Sequence, residues 1–190
     1  KAISPYIYGI NQSGNQDNYN KFTVNAIRQG GNRFTGYNWE TNASNAGADW
    51  QHYSDNYLSD SSDPADCVQT LSREATANGI GYKLATLQLA GYVAADKNGS
   101  VSETETAPSD RWNQVVLTKG SAFADTPDLT DGNVYMDEYV HYIIEKLGNS
   151  QSASGIQGYS LDNEPALWHT SHSRLHPNPV TIAELHEKSV

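Results

Sequence analysis

The feature that most limits how this chain can fold is an alternation. Short apolar runs that end at Gly, Asn or Pro take turns with segments whose apolar residues recur at helical spacing. Four runs read as strands: Ile3 to Asn11, Ile27 to Phe34, Tyr82 to Leu89 and Ile156 to Leu161. The second carries Gly30 and Gly31, which suggest a bulge or a close backbone approach. A polar turn spans residues 12–20, and the apolar group Phe22 to Ile27 is ambiguous. The second strand leads into Thr35-Gly36-Tyr37-Asn38-Trp39-Glu40, and then a long loop to about Ser62 carries Trp50, His52, Tyr53 and Tyr57. Loops of that length in a compact domain are usually functional.

Helices are expected after the later strands. One starts at Asp63, with Asp63 as N-cap, Pro64 in the first position and Asp66 in the first turn. Val68, Leu71 and Ala75 form its apolar face, and Asn78-Gly79 stops it. Residues Asp96 to Pro108 read as an exposed loop. A second helix covers Val134 to Leu147, with Met136, Tyr139, Val140, Ile143, Ile144 and Leu147 at helical spacing and Gly148 at its end. A last helix begins near Thr181, where Glu184 completes a capping box. Strands alternating with helices predict an α/β fold with a parallel sheet and helical crossovers. Four such units are half of an eightfold (β/α)8 barrel.

Charge and cysteine content narrow the function. The net charge is −10 and the isoelectric point about 4.8, so a phosphate backbone would be repelled and nucleic acid is not an expected partner. No stretch reaches the ~20 apolar residues of a membrane helix, and no membrane partner is expected. No basic segment followed by an apolar one opens the sequence, so a secretory leader is taken as removed or never present. A neutral polymer such as a polysaccharide carries no electrostatic penalty. Twelve Tyr and four Trp suit an aromatic-lined sugar cleft, and equally an ordinary secreted surface. The single cysteine, Cys67, excludes an intrachain disulfide framework and reads as buried filler.

The segment with the clearest chemistry is Gly158-Tyr159-Ser160-Leu161-Asp162-Asn163-Glu164-Pro165. Asn-Glu-Pro at the carboxyl end of a strand suits a sugar-cleaving barrel, because catalytic groups of that fold sit at the strand ends. The Glu can exchange a proton with a glycosidic oxygen, and the Asn can hydrogen-bond a sugar 2-OH. The plain alternative is a helix start with Glu in its first turn. His169, His172, Arg174 and His176 follow in a Pro- and Ser-rich loop. Their spacing does not suit a metal, and bonding to sugar or loop backbone is the better reading. A structural calcium in the loop Asp55 to Asp66 stays open, although the regular Asp-x-Asp-x-Asp-Gly pattern is missing. No other cofactor is expected.

Gly30-Gly31-Asn32-Arg33-Phe34-Thr35-Gly36-Tyr37-Asn38-Trp39-Glu40 closely resembles the second-strand segment of family 44 endoglucanases. Ser160 to His169, the following His172, Arg174, His176 and Pro177, and Pro5-Tyr6-Ile7-Tyr8-Gly9 resemble that family too. The resemblance implies that residues 1–190 are the N-terminal half of a TIM (β/α)8-barrel glycoside hydrolase domain. A further C-terminal segment would complete the barrel and carry most of a β-sandwich domain. It implies a secreted, retaining endo-β-1,4-glucanase, acting on cellulose derivatives or xyloglucan through two glutamates. Other barrel hydrolases (a mannanase or a xylanase) and a non-catalytic carbohydrate-binding protein are the rivals. Glu164 is carried over as the acid/base, with Asn163 beside it. The nucleophile is expected outside these residues, in a second chain or segment completing the barrel; Glu40 and Asp162 are weaker candidates. Asp162 reads better as a strand-end hydrogen-bonding group. Trp39, Tyr37, Asn38, Glu40 and Trp168 are expected to line the sugar cleft, while Trp112 and Tyr139 read as core.

Overall fold

The computed structural model describes residues 2–12, 19 and 23–190. In chain order its elements are β1 (Gly9–Asn11), β2 (Ala26–Arg28), α1 (Asn32–Thr35), β3 (Ser44–Asn45), β4 (Tyr53–Asp55), α2 (Asp66–Ala77), β5 (Tyr82–Leu87), β6 (Tyr92–Ala94), β7 (Gly99–Ser100), β8 (Trp112–Val116), β9 (Asn133–Tyr135), α3 (Met136–Leu147), β10 (Gly158–Leu161), α4 (Trp168–Ser171) and α5 (Ile182–Lys188). A central sheet in the order β1-β2-β5-β10 is parallel throughout. Parallel neighbours require crossovers. Helix α2 lies on the one between β2 and β5, and α3 on the one between β5 and β10. The α/β class with a parallel sheet is therefore as the sequence alternation indicates.

The two crossover helices pack against each other and the sheet through one apolar cluster that includes Ile27, Val68, Leu71, Ala75, Tyr139 and Ile143. Burying a side chain such as Leu71 contributes about 1.5–3 kcal/mol. Cys67 belongs to this cluster, and burial pushes its thiol up to about 12. It is packing material, as expected.

Several boundaries differ from the sequence reading for identifiable reasons. The first strand starts only at Gly9, because Pro5–Ile7 form a 3-10 turn capped by the Ser4 hydroxyl. The second strand stops at Arg28, and Asn32–Thr35 are helical instead. Gly31 makes the reversal at φ 106°, a conformation that favours glycine. Helix α2 starts at Asp66, not Asp63. The backbone before it is committed elsewhere: Asn42 donates to the carbonyls of Ser61 and Asp63, and the Ala65 N–H donates to Trp39. Its end at Asn78-Gly79 is as expected, with the Asn78 side chain donating to the Glu74 carbonyl.

Helix α3 starts at Met136 because Val134 pairs with Val115 in a strand. Tyr142 lies on its buried face, while Ile144 is exposed. At α5 the Thr181 hydroxyl accepts from the Glu184 N–H. The reciprocal half of the expected box is not made, since the Glu184 carboxylate bonds His176 and Lys188. The polar turn expected over residues 12–20 and the start of the Phe22 group lie largely outside the described residues.

Two small sheets stand after the carboxyl ends of β2 and β5. Strands β3, β4 and β7 form an antiparallel one, and β6, β8 and β9 a mixed one. The supposed loops therefore contain structure. Arg111 holds residues 96–105 together by bonding Asp96 at 2.6 Å and Glu105 at 3.1 Å. Trp112 is buried beneath this region, as expected.

Candidate active site

Strand β10 ends on two residues in left-handed conformations, Asp162 (φ 62°) and Glu164 (φ 43°). Such geometry is strained for residues other than glycine and persists only where the surroundings enforce it. Here Asp162 is the enforcing group. Its buried carboxylate accepts from the Thr35 hydroxyl at 2.7 Å and the Asn163 N–H at 2.7 Å. It also accepts from the N–H groups of Leu89 at 2.7 Å and Ala90 at 3.1 Å. These bonds tie together the chain leaving β2, β5 and β10, and they end β5 two residues earlier than its apolar run suggests. Burial raises the Asp162 carboxyl above the usual carboxylate range, against the pull of the four donors. The strand-end role expected of Asp162 is the one it has.

Beyond this clamp Glu164 is exposed, and Asn163 is only 7% exposed. The Asn163 side chain accepts from Arg28 at 2.7 Å and donates to Asn32 at 3.1 Å. Its Nδ2 also lies 3.4 Å from the Glu164 carboxylate. Trp168 is fully buried and donates its indole N–H to the Asn163 carbonyl at 3.1 Å. Trp168 thus braces Asn163 from behind and does not face the cleft, which corrects the sequence expectation. The plain helix-start reading of Glu164 is half right: it precedes a 3-10 turn, Pro165–Leu167, but makes no side-chain cap bond.

Arg28, Gly31, Asn32, Ser160, Asn163 and Glu164 line a recess of about 590 Å³. A second recess of about 830 Å³ shares Gly31 and Asn32 with it and extends over Arg33, Asp49, Trp50, Tyr53 and Tyr57. Trp50 is 62% exposed and Tyr57 75%. Arg33 sits 4.4 Å from the Tyr57 ring and bonds Asp55 at 2.6 and 3.1 Å, so this wall is held in place. Two open recesses thus meet at Gly31 and Asn32, one with an ionisable carboxyl on its rim and the other with exposed aromatic rings.

The expected aromatic segment is elsewhere. Tyr37, Asn38 and Trp39 are completely buried, and Glu40 is 2% exposed. Trp39 stacks on Tyr139 with ring centroids 5.3 Å apart, and Tyr142 packs on it at 5.5 Å. The Tyr37 hydroxyl donates to Asn42, and the Asn38 side chain joins the Ala94 carbonyl to the Glu40 N–H. Placing these four in the sugar cleft is therefore wrong. The turn at Gly31 and helix α1 carry the chain away from the strand end, so residues 37–40 face the helix α3 layer. Burial pushes the Glu40 carboxyl up to about 8, and the nearby Asp131 and Glu138 charges add to the shift. A buried, protonated Glu40 is unsuited to act as a nucleophile.

In the histidine segment, His176 bonds Glu184 at 2.9 Å, and Arg174 reaches the Val101 carbonyl at 3.4 Å. His172 is buried, and burial pushes it down to about 4 against the opposing pull of a backbone contact with Asn32. Among the described residues, no group of three or more His, Cys, Asp or Glu is placed to hold a metal. In the Asp-rich loop, Asp55 accepts from Arg33, Asp60 from Asn56 and Asp66 from Ser59.

Arg28, Asn32, Asp49 and Trp50 were not among the candidate site residues. The loop bearing Trp50 stood out by its length, but nothing in the sequence separated Trp50 from Trp39. Arg28 carried no such signal either, since it stands near the start of the expected second strand and only the structure puts it at a strand end.

A parallel sheet whose polar and ionisable groups gather at the carboxyl ends of its strands defines an α/β protein of the type that works from that face. This chain belongs to glycoside hydrolase family 44, whose description matches residues 43–190. It is 48% identical to Endoglucanase A of Paenibacillus lautus over all of its length, which is 27% of that protein. Among solved structures it resembles Cel44A, a family 44 endoglucanase of Clostridium thermocellum, with a TM-score of 0.93 and 54% identity. It also resembles a Paenibacillus polymyxa xyloglucanase of the family, solved with xyloglucan, with a TM-score of 0.92 and 50% identity. It covers 38% of each of these two chains, and all of it is covered in return.

Proposed function

We propose that this chain supplies the acid/base side of a retaining endo-β-1,4-glucanase, and that Glu164 is the acid/base. One observation carries the reading: an exposed carboxyl at the end of a parallel strand, beside a pinned Asn163, opens onto a groove edged by Trp50 and Tyr57. The named activities of the relatives, endoglucanase and xyloglucanase, support a β-1,4-glucan as substrate. In this reading the four parallel strands are the first half of a (β/α)8 barrel, with β1 and β10 as the edges that further strands join. A second chain or segment supplies those strands, the nucleophilic glutamate and a β-sandwich domain. A polymer too large to enter a cell supports a secreted enzyme.

The chemistry then runs in two displacements. The nucleophile's carboxylate attacks the anomeric carbon, the glycosidic C–O bond breaks, and the Glu164 carboxyl gives its proton to the departing oxygen. Water next attacks the same carbon, passes a proton to the Glu164 carboxylate, and releases the sugar from the nucleophile. In this reading Asn163 Nδ2, beside Glu164, donates to the sugar 2-OH, a bond that tightens as the transition state forms.

Glu164→Gln in the complete enzyme tests this reading. Cleavage of carboxymethyl cellulose or xyloglucan should fall by about 10²–10⁴-fold. The first step on an aryl glycoside with a good leaving group should fall much less, because that oxygen needs no proton. Near-normal cleavage of the polymer by this variant would contradict the assignment.

A further inference from the structure

We propose that Asp49 is a positioning residue for this site: through Asn32 it sets which way round the Asn163 amide points, and so keeps an N–H beside Glu164. The inference rests on the reading of Glu164 given above.

An amide side chain presents a donor on one side and an acceptor on the other, and the two are similar in shape. Its neighbours decide its direction. Here four side chains form one directed series. Arg28 donates to Asn163 Oδ1 at 2.7 Å, Asn163 Nδ2 donates to Asn32 Oδ1 at 3.1 Å, and Asn32 Nδ2 lies 3.0 Å from each oxygen of Asp49. The ends are unambiguous, because a guanidinium only donates and a carboxylate only accepts. Turning either amide round would set donor against donor, or acceptor against acceptor, at both of its contacts.

The same direction places Asn163 Nδ2 at 3.4 Å from Glu164 Oε2. Asn163 is almost wholly buried, so water is a poor substitute for the partners that orient it. Asp49 lies on the groove side, in the 3-10 turn Gly47–Trp50 that also carries the exposed Trp50 ring. The turn that bears the aromatic wall therefore also sets the polarity of the rim. Asp49 is exposed and keeps acceptor capacity beyond its contact with Asn32, so the kinetic test has to separate positioning from direct sugar binding.

The test uses the complete enzyme, a soluble β-1,4-glucan, and two variants. Asp49→Asn removes the acceptor-only end. Asp49→Asn combined with Asn32→Asp restores the direction with the charge moved inward: residue 49 donates, and residue 32 accepts from both sides. The single variant should lose about tenfold in kcat, the size expected for one charge-assisted hydrogen bond, with KM changed by less than about twofold. Its melting temperature should stay near the parent's. The double variant should recover kcat to within about threefold of the parent.

A rise in KM alone for Asp49→Asn would overturn the proposal in favour of direct sugar binding. Unchanged kinetics, or a double variant worse than the single one, would overturn it as well. The reading beneath it fails differently: a Glu164→Gln enzyme that cleaves glucan at the parent rate removes both, whatever the Asp49 variants do.

Discussion

Two stretches of this chain look alike as sequence and differ completely as structure. Tyr37-Asn38-Trp39-Glu40 and Asp162-Asn163-Glu164 each follow a strand of the central sheet, and each combines an amide with a carboxylic acid. Around Glu164 the acid is exposed and the neighbouring polar groups are paired. Around Glu40 the acid is buried, pushed up to about 8, and packed behind a Trp–Tyr stack. The difference originates in the first few residues after the strand. Strand β10 turns immediately, held by the Asp162 clamp, so its acid stays on the rim. After β2 the chain passes through Gly31 and one turn of helix, and its acid arrives under the helix layer. Composition does not decide exposure; the turn chemistry between strand and acid does.

The comparison breaks most visibly if Trp39 proves to be a sugar contact. Trp39→Ala should cost about 3–5 kcal/mol of folding stability, the usual loss for a large buried aromatic. The residual folded protein should bind cello-oligosaccharides with parent affinity. Denaturant unfolding and calorimetric titration give both values. A weakened affinity without a loss of stability would return Trp39 to the cleft.

A smaller effect concerns pH. Burial holds His172 near 4 when folded, against 6.5 for an ordinary histidine. The unfolded chain then takes up a proton that the folded chain refuses, so stability is fully present above about 6.5 and falls as pH drops toward 4. The shift corresponds to up to about 3 kcal/mol. Melting curves across that window should show the decline, and His172→Gln should flatten it. Parallel curves for parent and variant would place the imidazole in contact with water.

The smallest expected change is at the wall. Trp50→Ala should weaken oligosaccharide binding about tenfold, within the range seen for a single aromatic anchor, and should leave the melting temperature unchanged because the ring is mostly exposed. Equal affinity for parent and variant would remove Trp50 from the groove's function.

The residues show which parts of this were readable in the sequence. The alternation of apolar runs gave the parallel sheet, and Gly148 and Asn78-Gly79 marked helix ends correctly, because these signals are local. The start of α2 was misplaced because the backbone near Asp63 is claimed by Asn42 and Trp39, contacts made at a distance in sequence. Asp162, Asn163 and Glu164 were recognisable from their setting at a strand end. Arg28, Asn32 and Asp49 were not, since they matter only through partners that the fold brings together. Trp39 is buried because the second strand stops at Arg28, short of the expected Phe34, and the chain turns away at Gly31.

The central claim is that sugar lies along the Glu164–Trp50 groove and not against residues 37–40. A crystal structure of the complete enzyme carrying Glu164→Gln, soaked with a cello-oligosaccharide, tests it most directly. The account predicts a glycosidic oxygen within hydrogen-bonding distance of residue 164, a pyranose ring over Trp50, and Trp39 still stacked on Tyr139 with no sugar near it. A chain of sugar rings contacting Trp39 or Glu40, with the recess beside residue 164 left without sugar, would contradict it.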